Sequence, residues 1–184
     1  MKSIAQLLDE QPFFRAFSPE AQELIAGCAF NVHFADDQRI LTEGGHADHF
    51  YVLRSGLVAV EVDDPRRGPL VIETLGPGQI LGVSWLLPPY TWTFDARAVD
   101  PTSAISIDGA CLRGKCEEDP VLGYEFFKRF SGLFQERLHA ARLQLLDLYR
   151  HDEHARGQTP SAVSYTHLTL PTMLAQCRAR WGPG

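Results

Sequence analysis

Between Ala29 and Ile107 the chain is cut into short apolar runs, nearly every one closed by glycine, and this punctuation constrains the fold most. Arg39-Ile40-Leu41-Thr42 runs into Glu43-Gly44-Gly45, and Phe50-Tyr51-Val52-Leu53 into Ser55-Gly56. Leu57 to Val62 alternates cleanly, with Val58, Val60 and Val62 on one face and Ala59 and Glu61 on the other. A polar loop, Asp63 to Pro69, leads to a partner strand, Leu70 to Leu75, which Gly76-Pro77-Gly78 breaks. Two more strands are expected near Phe94–Ala98 and Ala104–Ile107. Runs this short are too brief for helices of ordinary length, and their even spacing predicts a barrel-like roll or sandwich.

The flanks read as helix. Ile4, Leu7 and Leu8 share one face of a short amphipathic stretch, Ser3 to Glu10. Ser18-Pro19-Glu20 combines an N-cap hydroxyl, a proline suited to the first turn and an acid at the positive end of the dipole. That helix is expected to reach about Cys28 with Leu24 and Ile25 inward. Asp119-Pro120 repeats the start signal, and no further proline occurs before Tyr149. Apolar residues in this last stretch fall at Phe127, Phe134, Leu138, Ala141, Leu145 and Leu148, with Ser131 as the polar member. From Phe134 the steps are four, three, four and three, a heptad seam. Such a stripe either packs on the chain's own roll or pairs with another copy. A helix of about 30 residues spans ~45 Å, more than one face of a domain this size covers, which favours a homodimer.

The expected class is therefore α+β: N-terminal helices, an eight-stranded roll, and a long dimerising helix, with residues 1–152 as the domain. With 184 residues, 45% of them hydrophobic, the chain can bury a core without metal or crosslinks. A net charge of −6 gives no global attraction to nucleic acid or anionic membrane, and no apolar run approaches a membrane span. The four cysteines, Cys28, Cys111, Cys116 and Cys177, lack metal-ligand spacing and read as reduced thiols of a cytoplasmic protein, Cys28 and Cys111 as small buried hydrophobes. Arg113 and Lys115 fall in a short helix before Asp119, where a solvated surface is expected. His151-Asp152-Glu153-His154 reads as a charged helix end rather than a metal site. No nucleophile-elbow or zinc-helix spacing supports an enzyme.

The linked order of these pieces resembles the cyclic-nucleotide-binding domain of the catabolite-activator (Crp/Fnr) family of bacterial regulators, over about residues 10 to 150. Phe14-Arg15-Ala16-Phe17-Ser18-Pro19-Glu20 is similar to the family's leading helix. Ile40 to Gly56 is similar to its strand–turn–strand, Gly76-Pro77-Gly78-Gln79-Ile80-Leu81-Gly82 to the run into its phosphate-binding cassette, and Phe94-Asp95-Ala96-Arg97-Ala98 to the closing strand. The resemblance implies an antiparallel β-roll of jelly-roll type and a ligand-sensing, non-enzymatic role. It places the cassette at Gly82, Val83, Ser84, Trp85, Trp92 and Thr93. Gly82 allows close backbone approach, and the amides of Val83 and Ser84 would face an anion at the start of a short helix. A simple tight turn at Gly82 is the other reading.

Two departures bear on the ligand. The resemblance implies a glutamate for the ribose hydroxyl where this chain has Val83, and an arginine then a small hydroxyl residue where it has Trp92 and Thr93. A buried anion needs compensating charge, so cAMP or cGMP loses its usual anchor unless Arg97 turns inward. The run Trp85 to Phe94 is instead aromatic and apolar, stiffened by Pro88-Pro89. Either the pocket is remade for a flat or apolar ligand, or its own tryptophans fill it; both readings shield Trp92 from water. The candidate ligand is a cyclic nucleotide or another small anionic or aromatic molecule, with no further cofactor, metal or membrane partner. Family members that regulate transcription carry a winged helix-turn-helix after the long helix. The 35 residues after Tyr149 are too few for one and hold no basic recognition helix, so this chain alone is not expected to bind nucleic acid. Val163 to Thr172 resembles translated adapter sequence, and residues 153–184 are expected to be a disordered, non-native tail. A downstream reader domain could have been lost there, making a truncated regulator the remaining alternative.

Overall fold

Strand pairing, not the helices, decides where the chemistry-bearing residues lie. The computed structural model describes residues 2–155, with side chains to residue 146. Two helices, α1 (Ile4–Asp9) and α2 (Pro19–Ala26), lead into eight strands among the described residues. These are β1 (Ala29–Phe34), β2 (Arg39–Leu41), β3 (His49–Ser55), β4 (Val58–Asp64), β5 (Gly68–Leu75), β6 (Ile80–Leu81), β7 (Asp95–Ala98) and β8 (Thr102–Asp108). Helices α3 (Gly109–Glu118) and α4 (Pro120–Ala155) follow. The strands form two antiparallel sheets, β1-β8-β3-β6 and β2-β7-β4-β5. The order helices, roll, long helix is the one expected. Of the tail expected at 153–184, residues 153–155 belong to α4, and residues 156–184, Cys177 among them, lie outside the described residues, as do the side chains of Leu148 and of His151–His154.

Local signals work as expected at the helix starts. The Ser3 hydroxyl accepts from the Gln6 amide while the Gln6 side chain accepts from the Ser3 amide, a capping box. Ser18 caps α2, whose first residue is Pro19. The Glu20 carboxyl sits in that first turn, and its backbone hydrogen bond, then one to Ser18, lower its pKa. Leu24, expected inward, is exposed; Gln22 takes the buried place beside Ile25, its amide donating to the carbonyls of Phe14 and Phe17. Two main-chain acceptors needing donors outweigh one more apolar contact there.

The chain divides into two compact units, Met1–Gln135 and Glu136–Gly184. In the first, the core joins the sheets to α1, α2, α3 and the start of α4. Leu122, Phe126 and Phe130 of α4 are buried, and Phe126 and Phe130 meet the rings of Phe13, Phe14, Phe17 and Phe50. Within the first unit, the part of α4 that packs on the roll is a second stripe, unread in the sequence. Phe134 is the shared residue, half-buried and tilted against Phe130 at 6.4 Å. Phe127 is exposed, and in the second unit so are Leu138, Ala141 and Leu145. Ser131 donates to the Phe127 carbonyl one turn back.

The cysteine expectation is also corrected. Cys28 and Cys111 form a disulfide across a sequence separation of 83, while Cys116 is free. Spacing along the chain could not reveal the pair, because pairing of β1 with β8 creates it. Ala29 lies opposite Ile107, and the Asp108 amide donates to the Cys28 carbonyl at 2.9 Å. One helical turn later, Cys111 reaches Cys28.

Candidate functional site

The cassette begins where β6 ends. Gly82 has φ of +81°, a left-handed conformation that glycine adopts without cost, and it opens one 3-10 turn, Val83–Leu86. A full short helix was expected there; a single turn is present. The chain then crosses a cis Pro88–Pro89 bond and zips onto the turn after β2. The Ala47 amide donates to the Tyr90 carbonyl, the Trp92 amide to the Gly45 carbonyl, and the Gly44 amide to the Trp92 carbonyl, all within 2.9 Å. Backbone pairing on both sides fixes where the Trp92 ring goes.

That ring lies over Gly82. A Cβ at position 82 would meet Trp92 Cζ3 at 2.8 Å and Cη2 at 2.9 Å, and one at Gly45 would meet Cδ1 at 3.5 Å. Two glycines thus make the slot that the indole occupies, and Trp92 is only 8% exposed. Within the cassette the hydroxyls of Ser84 and Thr93 stand 3.2 Å apart.

Trp85 goes elsewhere. It is fully buried, stacked on Phe50 at 4.7 Å and edge-on to Phe130 at 5.5 Å. Gly109 of α3 accommodates it, since a Cβ there would meet the Trp85 Cβ at 3.1 Å. Its indole N–H has no acceptor among the described residues, a cost of about 1–3 kcal/mol that its packing must offset. The sequence grouped both tryptophans in one pocket; the structure separates them, one in the core between β3 and the helices, one on the cassette glycine.

Arg97 is on the far face of its strand. Its neighbours Ala96 and Ala98 are buried in the core, whereas its guanidinium pairs with Asp37 and, at 2.7 Å, with the buried Glu61. These two carboxylates, Glu61 first, push the Arg97 pKa up. The inward turn that could have supplied a phosphate partner is absent. Arg39 on the same face pairs with Asp95 at 2.7 Å.

Arg113, expected at a solvated surface, instead holds the cassette. Its Nη1 donates to the Trp85 carbonyl at 2.6 Å, and its guanidinium lies 4.2 Å from the centre of the Tyr90 ring. Tyr90 itself has φ of +55°. No local pattern could announce this contact, which spans 28 positions. Tyr51, across from Leu81 at the end of β6, has its phenol pKa raised, first by burial and second by Asp48. No group of three or more metal-ligating side chains occurs among the described residues.

Comparison with known proteins agrees with this architecture. Residues 31–119 match the family model of the cyclic nucleotide-binding domain. A Geobacter metallireducens GS-15 protein, described as a cyclic nucleotide-binding candidate, is 29% identical at TM-score 0.67, over 76% of this chain and 100% of its own. A cyclic nucleotide-binding domain from Methylobacillus flagellatus KT shares the fold at TM-score 0.68 and 20% identity, over 88% of this chain and 85% of its own. So does the regulatory subunit of a cAMP-independent protein kinase A from Trypanosoma brucei, at TM-score 0.57 and 18% identity, over 72% and 49%.

Proposed function

We propose that this chain, whose residues 31–119 belong to the cyclic nucleotide-binding domain family, is a non-enzymatic regulatory module whose cassette is closed by its own tryptophan. It acts as a homodimer through α4. The observation that carries this reading is the Trp92 indole seated on Gly82. By register from Arg97-Ala98, Trp92 stands where the family's phosphate-binding arginine falls, so one substitution both removes the positive charge and fills the space. Val83 removes the ribose partner, and Arg97 is committed to Glu61 and Asp37 on the outer face. A cyclic phosphate entering here would be desolvated without a counter-charge, a large penalty.

A second reading, a sensor for another small planar molecule, draws on Ser84 and Thr93, whose paired hydroxyls in the cassette could orient a ligand that displaces the indole. Such a ligand would act by favouring one arrangement of the cassette over another. Support for the dimer is the exposure of Leu138 and Leu145 on a heptad spacing. The chain's acidity gives no reason to expect nucleic-acid binding, and no described helix is long and apolar enough to cross a membrane. A cytoplasmic location fits that reading.

Thermal denaturation of the full chain against cAMP, cGMP, cyclic dinucleotides and small aromatic metabolites tests both readings. Ligand at a hundred times its dissociation constant stabilises by about 2.7 kcal/mol. The closed cassette predicts no shift with any of them. A shift with a small aromatic molecule establishes the sensor, and a shift with cAMP or cGMP overturns the proposal.

A further inference from the structure

We propose that the Cys28–Cys111 pair is a redox site, and that its state sets how firmly α3 holds the cassette. Three contacts of α3 carry the inference. Gly109 receives Trp85 and Arg113 grips its carbonyl and the Tyr90 ring; four residues apart, these two lie on one helical face. Cys111 lies midway between them and about 200° around the helix from Gly109, so it faces away from the cassette and toward β1. The helix is therefore held on one side by the disulfide and on the other by the cassette. Opening the bond leaves the Asp108 amide on the Cys28 carbonyl and the Gly109 amide on the Asp48 carbonyl as hydrogen bonds that tie this end of α3 to its neighbours.

Cys28 is buried and Cys111 is half-exposed, so attack comes at Cys111. The co-reactant is a dithiol. Its thiolate attacks the Cys111 sulfur, the S–S bond breaks, and Cys28 leaves as a thiolate that takes a proton. The second thiol then closes on the mixed disulfide and releases Cys111. The protein gains two electrons and two protons, and the dithiol becomes a cyclic disulfide.

The test uses the full chain equilibrated with dithiothreitol or with its oxidised cyclic form. Alkylation mapped by mass spectrometry reads each cysteine, and amide exchange over residues 83–92 reads the cassette. In the oxidised protein Cys28 and Cys111 should resist alkylation even when unfolded; on reduction both should react, and cassette amides should exchange about tenfold faster. Cys111→Ser should show the fast rate with no response to dithiol. Arg113→Ala should show it in both redox states, because the link from α3 to the cassette is gone. Equal cassette exchange in oxidised and reduced wild type overturns the proposal, whether or not the variants fold. So does the finding that Cys28 and Cys111 stay alkylatable after treatment with the oxidised reagent.

Discussion

The indole of Trp92 occupies the volume that a side chain at position 82 would need, with ring carbons 2.8 and 2.9 Å from an ideal Gly82 Cβ. Gly82 is thus required twice, for its left-handed backbone and for the ring above it. Gly82→Ala should lower stability by about 1–3 kcal/mol from backbone strain, plus whatever the ring must yield. Urea denaturation measures it. Replacing Trp92 with leucine in the same chain should recover part of the loss, and strict additivity of the two substitutions would show that they do not meet.

Trp92→Ala should leave an empty slot between Gly45 and Gly82 and cost about 3–5 kcal/mol. The slot has the shape of the missing ring, so millimolar indole should raise the variant's melting temperature and leave the wild type unchanged. Equal responses of the two proteins would mean that indole binds elsewhere.

Leu138→Asp and Leu145→Asp are expected to give monomers in sedimentation, because each puts a charge on the exposed heptad stripe. Both are exposed in the chain, so melting of the monomer should change little. Phe130→Ala should behave oppositely, losing about 3–5 kcal/mol of stability from a fully buried ring. A dimer that survives both aspartates refutes the seam.

Alkaline pH should weaken the fold through Tyr51. Burial, then Asp48, raise the pKa of its phenol in the folded chain above the ordinary value of 10.0. The folded state therefore holds this proton more tightly, and the associated stability is complete below about pH 10 and fades as pH rises through the folded value. Tyr51→Phe should flatten the stability profile above pH 10. Burial, then Asp119 and Glu117, likewise raise the Cys116 thiol from 9.0, so Cys116→Ser should remove a separate part of the decline that begins nearer pH 9.

The features legible in the sequence were those written over a few neighbouring residues. Ser18-Pro19, Asp119-Pro120, the alternation Val58 to Val62 and the glycine turns each state their local structure, and their order was enough to place the fold. Contacts made by pairing distant segments were not legible. Cys28 meets Cys111 only because β1 runs beside β8, and Arg113 meets Trp85 only because α3 packs on the cassette turn. The direction of Arg97 was open until β4 supplied Glu61 beneath it. For α4, the period of the seam was visible, but Leu122, Phe126 and Phe130 announced nothing until the N-terminal phenylalanines were seen against them. The sequence placed Trp85 and Trp92 side by side; only β3 and the turn after β2 pull them apart.

The buried stripe of α4, Leu122, Phe126 and Phe130, meets the heptad stripe at Phe134, and Leu138 and Leu145 lie exposed beyond it. The core therefore leaves Leu138 and Leu145 uncovered for the homodimer proposed above. Over generations the exposed positions can drift, changing partner strength or choice, while the monomer's own architecture stays under separate selection. A chain built this way can vary its exposed stripe without disturbing its core.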